Sequence, residues 1–183
     1  MTQLVLDLAS ALRPRGAILC DGSAVKVRPV SAGDEPALRG FLQGVSTDSL
    51  RLRFFGAIDR DRAAASIADC SRPGDLALVA QLGGQPSIIA HAASYRIGPD
   101  RAEVAFLVAD SWQGRGLGSI MFSRLAAAAR EQGVATLVAE VLPTNRGMLT
   151  VFERSGHPSH IRSNADVFDV RIETTPLLLT LAA

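Results

Sequence analysis

One short segment combines glycine, glutamine and arginine in a pattern that can bind phosphate. Residues 113–119 read QGRGLGS, with glycines at the alternate positions 114, 116 and 118. Glycine has no side chain to block an anion, and backbone N–H groups at a helix start donate to phosphate oxygens. Apolar residues then recur at helical spacing, so we expect the segment to open a helix. A purely structural turn is the alternative explanation of a glycine triplet.

The same residues also fit a second phosphate-binding pattern. Gly114-x-Gly116-x-x-Ser119 nearly spells the GxGxxG/A fingerprint of dinucleotide-binding folds, and Glu140 lies one strand later. That fingerprint normally occurs in the first unit of a repeated β–α–β architecture. Here three strand-like runs precede the glycines, and too little chain follows to build a second half. The order of elements therefore disfavours a dinucleotide fold.

Three side chains near this segment could accept a proton during catalysis. Glu103 begins one strand-like run, His91 lies in another, and Glu140 lies in a third. Alternation along a strand places Glu103, Ala105 and Leu107 on one face. Glu103 fits either a catalytic base or a solvated carboxylate beside a turn, whereas a lone histidine in an apolar run is more often a packed core residue. No His and Cys residues cluster with metal-ligand spacing, so no metal site is predicted.

Composition limits the class of protein that the chain can be. Its 183 residues are 48% hydrophobic, which suits one globular domain with a sizeable core. A net charge of +1 and 5% aromatic residues argue against a nucleic-acid partner. Cys20 and Cys70 form no disulfide framework or zinc motif, which favours a reducing, cytoplasmic location. No apolar run approaches the ~18 residues of a membrane span, and the N-terminus does not resemble a signal peptide.

The elements that must position these residues follow from hydrophobic periodicity and capping signals, and they predict an α+β domain. A first strand is expected at 23–30, and helices are expected to start at Ser31, with Asp34 completing a capping box, and at Ser46. The region 76–110 predicts a three-stranded antiparallel meander. The remaining expected elements are a helix within 59–70, a helix from the glycines to Gly133, strands at 135–142 and 166–175, and a helix at 145–156.

The segment Gln113-Gly114-Arg115-Gly116-Leu117-Gly118 resembles the Q/R-x-x-G-x-G/A loop of GCN5-related N-acetyltransferases, the GNAT superfamily. Its neighbours extend the resemblance over roughly 25–175. AEVAFLVAD before the loop looks like the family's fourth strand, and ATLVAEVL with Pro143-Thr144-Asn145 looks like its fifth strand and asparagine. MLTVFERSGH looks like the A-x-x-x-Y-x-x-x-G-F helix that follows. The chain is thus identified as a member of the GNAT superfamily.

This resemblance implies a fold and an activity. The fold is a central mixed, mostly antiparallel sheet of six to seven strands, flanked by helices and splayed between strands four and five. The domain is expected at 21–176, after a lead-in (1–20) and before a tail (177–183). The cosubstrate would be acetyl-CoA, without a metal, and Glu103 would be the catalytic base. Residues implied to bind acetyl-CoA are Phe106, Leu107, Val108, Gln113, Gly114, Arg115, Gly116, Leu117, Gly118, Ser119 and Asn145.

The start of the chain narrows the class of molecule that could accept the acetyl group. Residues 21–56 resemble the DG-x-x-V start and the S-x-x-S-x-x-x-RFF helix of bacterial protein lysine acetyltransferases. The implied acceptor is a protein lysine, for example in an acyl-CoA synthetase, and a small amine is the alternative. A lysine amine has a reference pKa of ~10.4, so about one in two thousand is neutral at pH 7 and a base is needed. The resemblance is compatible with a monomer or a homodimer.

One position departs from the family pattern. Many GNAT enzymes carry a tyrosine that protonates the leaving thiolate, and the matching residue here is Phe152. A non-catalytic domain that senses acyl-CoA is therefore a further alternative. Arg115 and Arg146 could contact phosphates of CoA. Asp48, Arg51 and Arg53 would line the acceptor side or form an ordinary charged helix face, and Asp166 is equally unassigned.

Overall fold

Eight strands and five α-helices make up residues 12–69 and 72–176, the part of the chain that our computed structural model describes. The strands are β1 (Arg15–Ile18), β2 (Ala24–Pro29), β3 (Leu76–Leu82), β4 (Ile88–Arg96), β5 (Arg101–Val108), β6 (Thr136–Val141), β7 (Ser159–Asn164) and β8 (Val167–Glu173). The helices are α1 (Glu35–Gly44), α2 (Thr47–Phe54), α3 (Arg60–Ala68), α4 (Leu117–Glu131) and α5 (Arg146–Glu153), with 3-10 turns at Ala32–Asp34 and Asp110–Trp112. Cys70, most of the expected lead-in and the expected tail lie outside the described residues.

The α+β prediction is confirmed, but the expected strand number is corrected from six or seven to eight. β1 precedes the strand expected first and pairs with it along the edge of the sheet. The sequence does not predict β7, because nearly all of its side chains are exposed at the other edge and no hydrophobic alternation marks it. Both additions are edge strands, where the burial that produces a sequence pattern is weakest.

The strands lie in the order β1-β2-β3-β4-β5-β6-β8-β7. The predicted meander of β3, β4 and β5 is confirmed by its register, in which His91 pairs with Val79 on one side and Leu107 on the other. β5 and β6 are parallel and pair only from Arg101–Glu103 to Thr136–Val138. Beyond Glu103 the two strands diverge, which is the expected splay between the family's fourth and fifth strands.

Helices cover both faces of the sheet and give it two hydrophobic cores. On one face α4 buries Leu117, Met121 and Leu125, spaced four residues apart along one side of the helix. On the other face α1 to α3 pack against β3, β4 and β5, and Leu107 belongs to that core. None of the helices in the described part of the chain is long and apolar enough to cross a membrane.

Capping residues begin the helices as the sequence predicts. Ser31 and Asp34 form a reciprocal capping box before α1, and the Asp34 carboxylate accepts two 2.7 Å hydrogen bonds from the Arg28 guanidinium. That guanidinium lowers the pKa of Asp34 to about 2. Ser46 caps α2 by accepting from the Ser49 N–H. α2 ends at Phe55 in the left-handed region (φ 62°), one residue before the glycine expected to end it.

Candidate active site

The glycine segment forms a tight loop between the 3-10 turn Asp110–Trp112 and the first turn of α4. Gly114 and Gly116 have φ values of 73° and 85°, in the left-handed region that side chains disfavour. Gly116 is the N-cap of α4. Because glycine supplies no side-chain acceptor there, the first-turn N–H groups of this 15-residue helix are available to an anion.

Gly118 serves a different purpose from the other two glycines. A Cβ placed on Gly118 would lie 3.2 Å from Cγ2 of Val151 on α5. The missing side chain therefore allows α4 and α5 to pack closely, rather than allowing an unusual backbone conformation.

A cleft of about 430 Å³ lies between the glycine loop, the end of β5, α5 and α2. Most of the residues predicted to bind acetyl-CoA line it: Phe106, Leu107, Val108, Gln113, Gly114, Gly116, Gly118, Ser119 and Asn145. Leu117, by contrast, is 1% exposed and belongs to the core below the loop. The sequence motif thus supplies five cleft-lining residues, one core residue, Leu117, and one residue outside the lining, Arg115.

Arg115 lies outside the cleft lining. Its guanidinium pairs with Asp21 at 2.5 Å on the turn after β1 and lies 4.8 Å from the centre of the Trp112 ring. Two other arginines line the cleft from α5 and its C-terminal end, Arg146 and Arg154. The sequence does not predict Arg154, because its place in a Glu-Arg-Ser-Gly helix end is typical of a solvated charge.

Backbone amides at the end of β5 face the gap left by β6. The N–H of Ala109 donates to Ile89 O on β4 at 2.9 Å. Because strand amides alternate in direction, the N–H of Leu107 also faces β4, whereas those of Phe106 and Val108 face the gap. These two amides are placed where an oxyanion could form. The Val108 carbonyl accepts a 3.0 Å hydrogen bond from Gln113 Nε2.

Asn145 is the N-cap of α5 as well as a cleft residue. Its Oδ1 accepts from the Met148 N–H at 3.1 Å. The side chain therefore fixes the direction of α5 along the cleft wall.

Glu103 lies on the sheet face covered by α1 to α3, as its alternation with Ala105 and Leu107 predicts. It is exposed, outside the cleft lining, and its cross-strand neighbour on β4 is Tyr95. Arg53 of α2 connects the two regions, because its side chain lines the cleft and interacts electrostatically with Tyr95 and Glu103. Burial lowers the pKa of Arg53, and the interactions with Tyr95 and Glu103 oppose that effect.

The Arg53 side chain also packs against the ring of Phe54, with 4.6 Å between the guanidinium carbon and the ring centre. Its Nε is buried and has no hydrogen-bond partner among the described residues. In the sequence Arg53 is one of several charges on α2. Its neighbours Asp48 and Arg51 are exposed and lie outside the cleft lining, so only the third of these predicted acceptor-side residues reaches it.

The next residues to place are the two alternative bases, His91 and Glu140, the unassigned Asp166, and Phe152, which stands where many family members have a tyrosine. His91 is 2% exposed, and burial together with the charge of Arg53 lowers its pKa to about 3. Glu140 is exposed on β6 opposite Asp169 of β8, and Asp166 is exposed in the β7–β8 turn. Phe152 is fully buried, edge-on to Phe106 and Phe122. Over residues 12–69 and 72–176 no group of His, Cys, Asp or Glu is arranged to hold a metal ion.

Comparisons with known proteins agree with this geometry. The profile of the Acetyltransferase (GNAT) family matches residues 46–157. Acetyltransferase Pat of Mycolicibacterium smegmatis is 30% identical over 174 residues, which cover 93% of this chain and 52% of that protein. The chain therefore spans about half the length of this curated relative.

Solved structures show the same fold. The crystal structure of the GNAT domain of S. lividans PAT is 32% identical, with a TM-score of 0.79, and the match covers 87% of this chain and 96% of that one. The yncA structure from Salmonella typhimurium, with its cofactor acetyl-CoA, is 18% identical, with a TM-score of 0.62, and covers 81% and 92% of the two chains. The latter likeness concerns the fold alone. This chain belongs to the GNAT acetyltransferase family and lies close to the bacterial Pat acetyltransferases.

Proposed function

We propose that the chain transfers an acetyl group from acetyl-CoA to the amine of a protein lysine. The observation that carries the proposal is the cleft lined by the glycine loop, the start of α4 and the end of β5, which Arg53 connects to Glu103. The family and the acetyl-CoA in the yncA structure support this donor. The resemblance of residues 21–56 to protein lysine acetyltransferases, and the likeness to Pat, support the acceptor.

Each part of the site has a distinct task in that reaction. The first-turn N–H groups of α4, with Arg146 and Arg154, bind the phosphates of acetyl-CoA. The amides of Phe106 and Val108 donate to the thioester oxygen as it becomes negative. Glu103 takes the proton of the attacking amine while the C–N bond forms and the C–S bond breaks. Because Phe152 has no proton to give, water protonates the departing thiolate.

Replacing the proposed base tests the catalytic assignment. Glu103→Gln should lower kcat by about 100-fold or more, the usual contribution of a general base, and leave the Kd for acetyl-CoA unchanged. Thiol release from acetyl-CoA, with a panel of lysine-bearing proteins and small amines, measures the rate and identifies the acceptor class. The matched control is Glu140→Gln, a second exposed carboxylate on the neighbouring strand. Wild-type turnover by Glu103→Gln would refute the role of Glu103.

A non-catalytic domain that binds acyl-CoA is a second candidate, and the buried Phe152 is the observation that favours it. Calorimetric binding of acetyl-CoA without thiol release to any acceptor would support that candidate. Thiol release that depends on an added lysine-bearing protein would exclude it.

A further inference from the structure

Three polar residues of α2 and its N-cap share one side of the helix without a part in the chemistry above. Ser46, Ser49 and Arg53 are three and four residues apart, so they align along that side. They are the polar members of the S-x-x-S-x-x-x-R pattern in the sequence. Arg53 and Ser49 both line the cleft, and the two serines also contact the segment that leads into the glycine loop.

Asp110, which begins the 3-10 turn before the loop, is the partner of both serines. Its carboxylate accepts from the Ser46 N–H at 2.9 Å, the Ser46 hydroxyl at 2.6 Å and the Ser49 hydroxyl at 2.7 Å. Burial raises the pKa of Asp110, but these hydrogen bonds more than offset it and hold the pKa below its usual value. Asp110 is therefore an anion at neutral pH and a strong acceptor.

Ser49 extends this network to the loop and to β5. Its Oγ accepts from Gln113 Nε2 at 3.1 Å, and the same Nε2 donates to the Val108 carbonyl at 3.0 Å. Ser49 is 8% exposed, and its hydroxyl proton is already donated to Asp110. One chain of hydrogen bonds therefore joins α2 to the first loop residue and to the strand end that presents the oxyanion-binding amides.

We propose that Ser49 and Asp110 are positioning residues that hold the glycine loop at a fixed distance from the end of β5. This inference rests on the proposed donor site. Acetyl-CoA must contact the loop through its phosphates and the β5 amides through its thioester, so the spacing of these two elements determines how well one molecule fits both. Asp110 itself lies outside the cleft lining, so it acts through Ser49 and Gln113.

Calorimetric titration of acetyl-CoA into single and double variants tests the positioning role of Ser49 and Asp110. Ser49→Ala and Asp110→Ala should each weaken binding about tenfold, and the double variant should also be about tenfold weaker, because both changes break one network. KM for acetyl-CoA should rise with them, while kcat at saturation and its pH profile stay as in wild type. The control is Thr47→Ala, an exposed hydroxyl on the first turn of the same helix, which should bind like wild type.

Four results would overturn the inference or its basis. Unchanged binding by Ser49→Ala, or effects that multiply to about a hundredfold in the double variant, would show that the network does not position the loop. If Ser49→Ala does not fold, wild-type affinity of the Asp110→Ala variant, which removes the acceptor of both serine hydroxyls, would equally refute the positioning role. A wild-type protein that does not bind acetyl-CoA would instead refute the proposed function itself.

Discussion

The three glycines of the loop are needed for two different physical reasons. Gly114 and Gly116 occupy left-handed backbone, whereas Gly118 lies in regular helix and gives room to Val151. In the sequence the three glycines cannot be told apart. Only the backbone angles and the neighbouring atoms separate an anion-binding loop from a helix contact, so the purpose of each glycine could not be predicted.

Substitution of Gly116 tests the loop at its most constrained residue. Gly116→Val should lower the affinity for acetyl-CoA by more than tenfold, because a β-branched residue is strained at φ 85° and its Cβ would lie 3.1 Å from Cys20 Sγ. The control is Gly133→Val, with φ 79° beyond the other end of α4. It carries similar strain and should bind acetyl-CoA like wild type in calorimetry. Equal affinity of both variants would contradict the assignment of the loop.

His91 makes a testable contribution to the pH dependence of stability. Its pKa falls from 6.5 in the unfolded chain to about 3 in the fold, so only the unfolded chain takes up this proton between those values. Its contribution is complete above pH 6.5 and is lost as the pH falls, at about 1.4 kcal/mol per pH unit. His91→Leu should therefore flatten the decline seen in urea unfolding from pH 7 to pH 4. His160→Asn, at an exposed site on β7, should leave the decline unchanged.

At the scale of elements, one residue at the start of α5 has two roles: Asn145 is the N-cap of the helix and also lines the cleft. Asn145→Ala removes the N-cap of α5 and should lower the free energy of unfolding by about 1 kcal/mol. It should also weaken acetyl-CoA binding, because Asn145 and Arg146 line the cleft. Asp59→Ala removes the N-cap of α3 and should cost similar stability without changing that affinity. Urea unfolding and calorimetry on both variants separate the two effects, and equal affinities would argue against a binding role for Asn145.

Local signals predict most elements, and their absence explains the rest. Ser31, Ser46 and the Gly83-Gly84 turn act within a few residues, so the sequence alone predicts the helix starts and the β3–β4 hairpin. The polar edge strand β7 carries no such signal. The splay enters only through family resemblance, because it depends on where β5 and β6 stop pairing.

At the scale of the molecule, the site is assembled from segments far apart in the chain. The loop is predictable because its residues are contiguous, whereas the role of Glu103 comes only from the family resemblance and stays a prediction. The bond from Ser49 to Asp110 spans 61 positions, and Arg53 meets Glu103 across two elements. Pairings at that separation leave no pattern in a single sequence, so these two interactions could not be predicted from it.

The short ladder between β5 and β6 has a consequence for local unfolding of the domain. Within the described residues, only three residue pairs join the antiparallel meander to the C-terminal strands there, and α4 is the connection that crosses over. The cleft opens where these two strands diverge, with the meander on one side and α5 on the other. Bound acetyl-CoA would bridge the two sides of this cleft, so we expect it to protect the amides of β6 and β8 from solvent exchange more than those of β2 and β3.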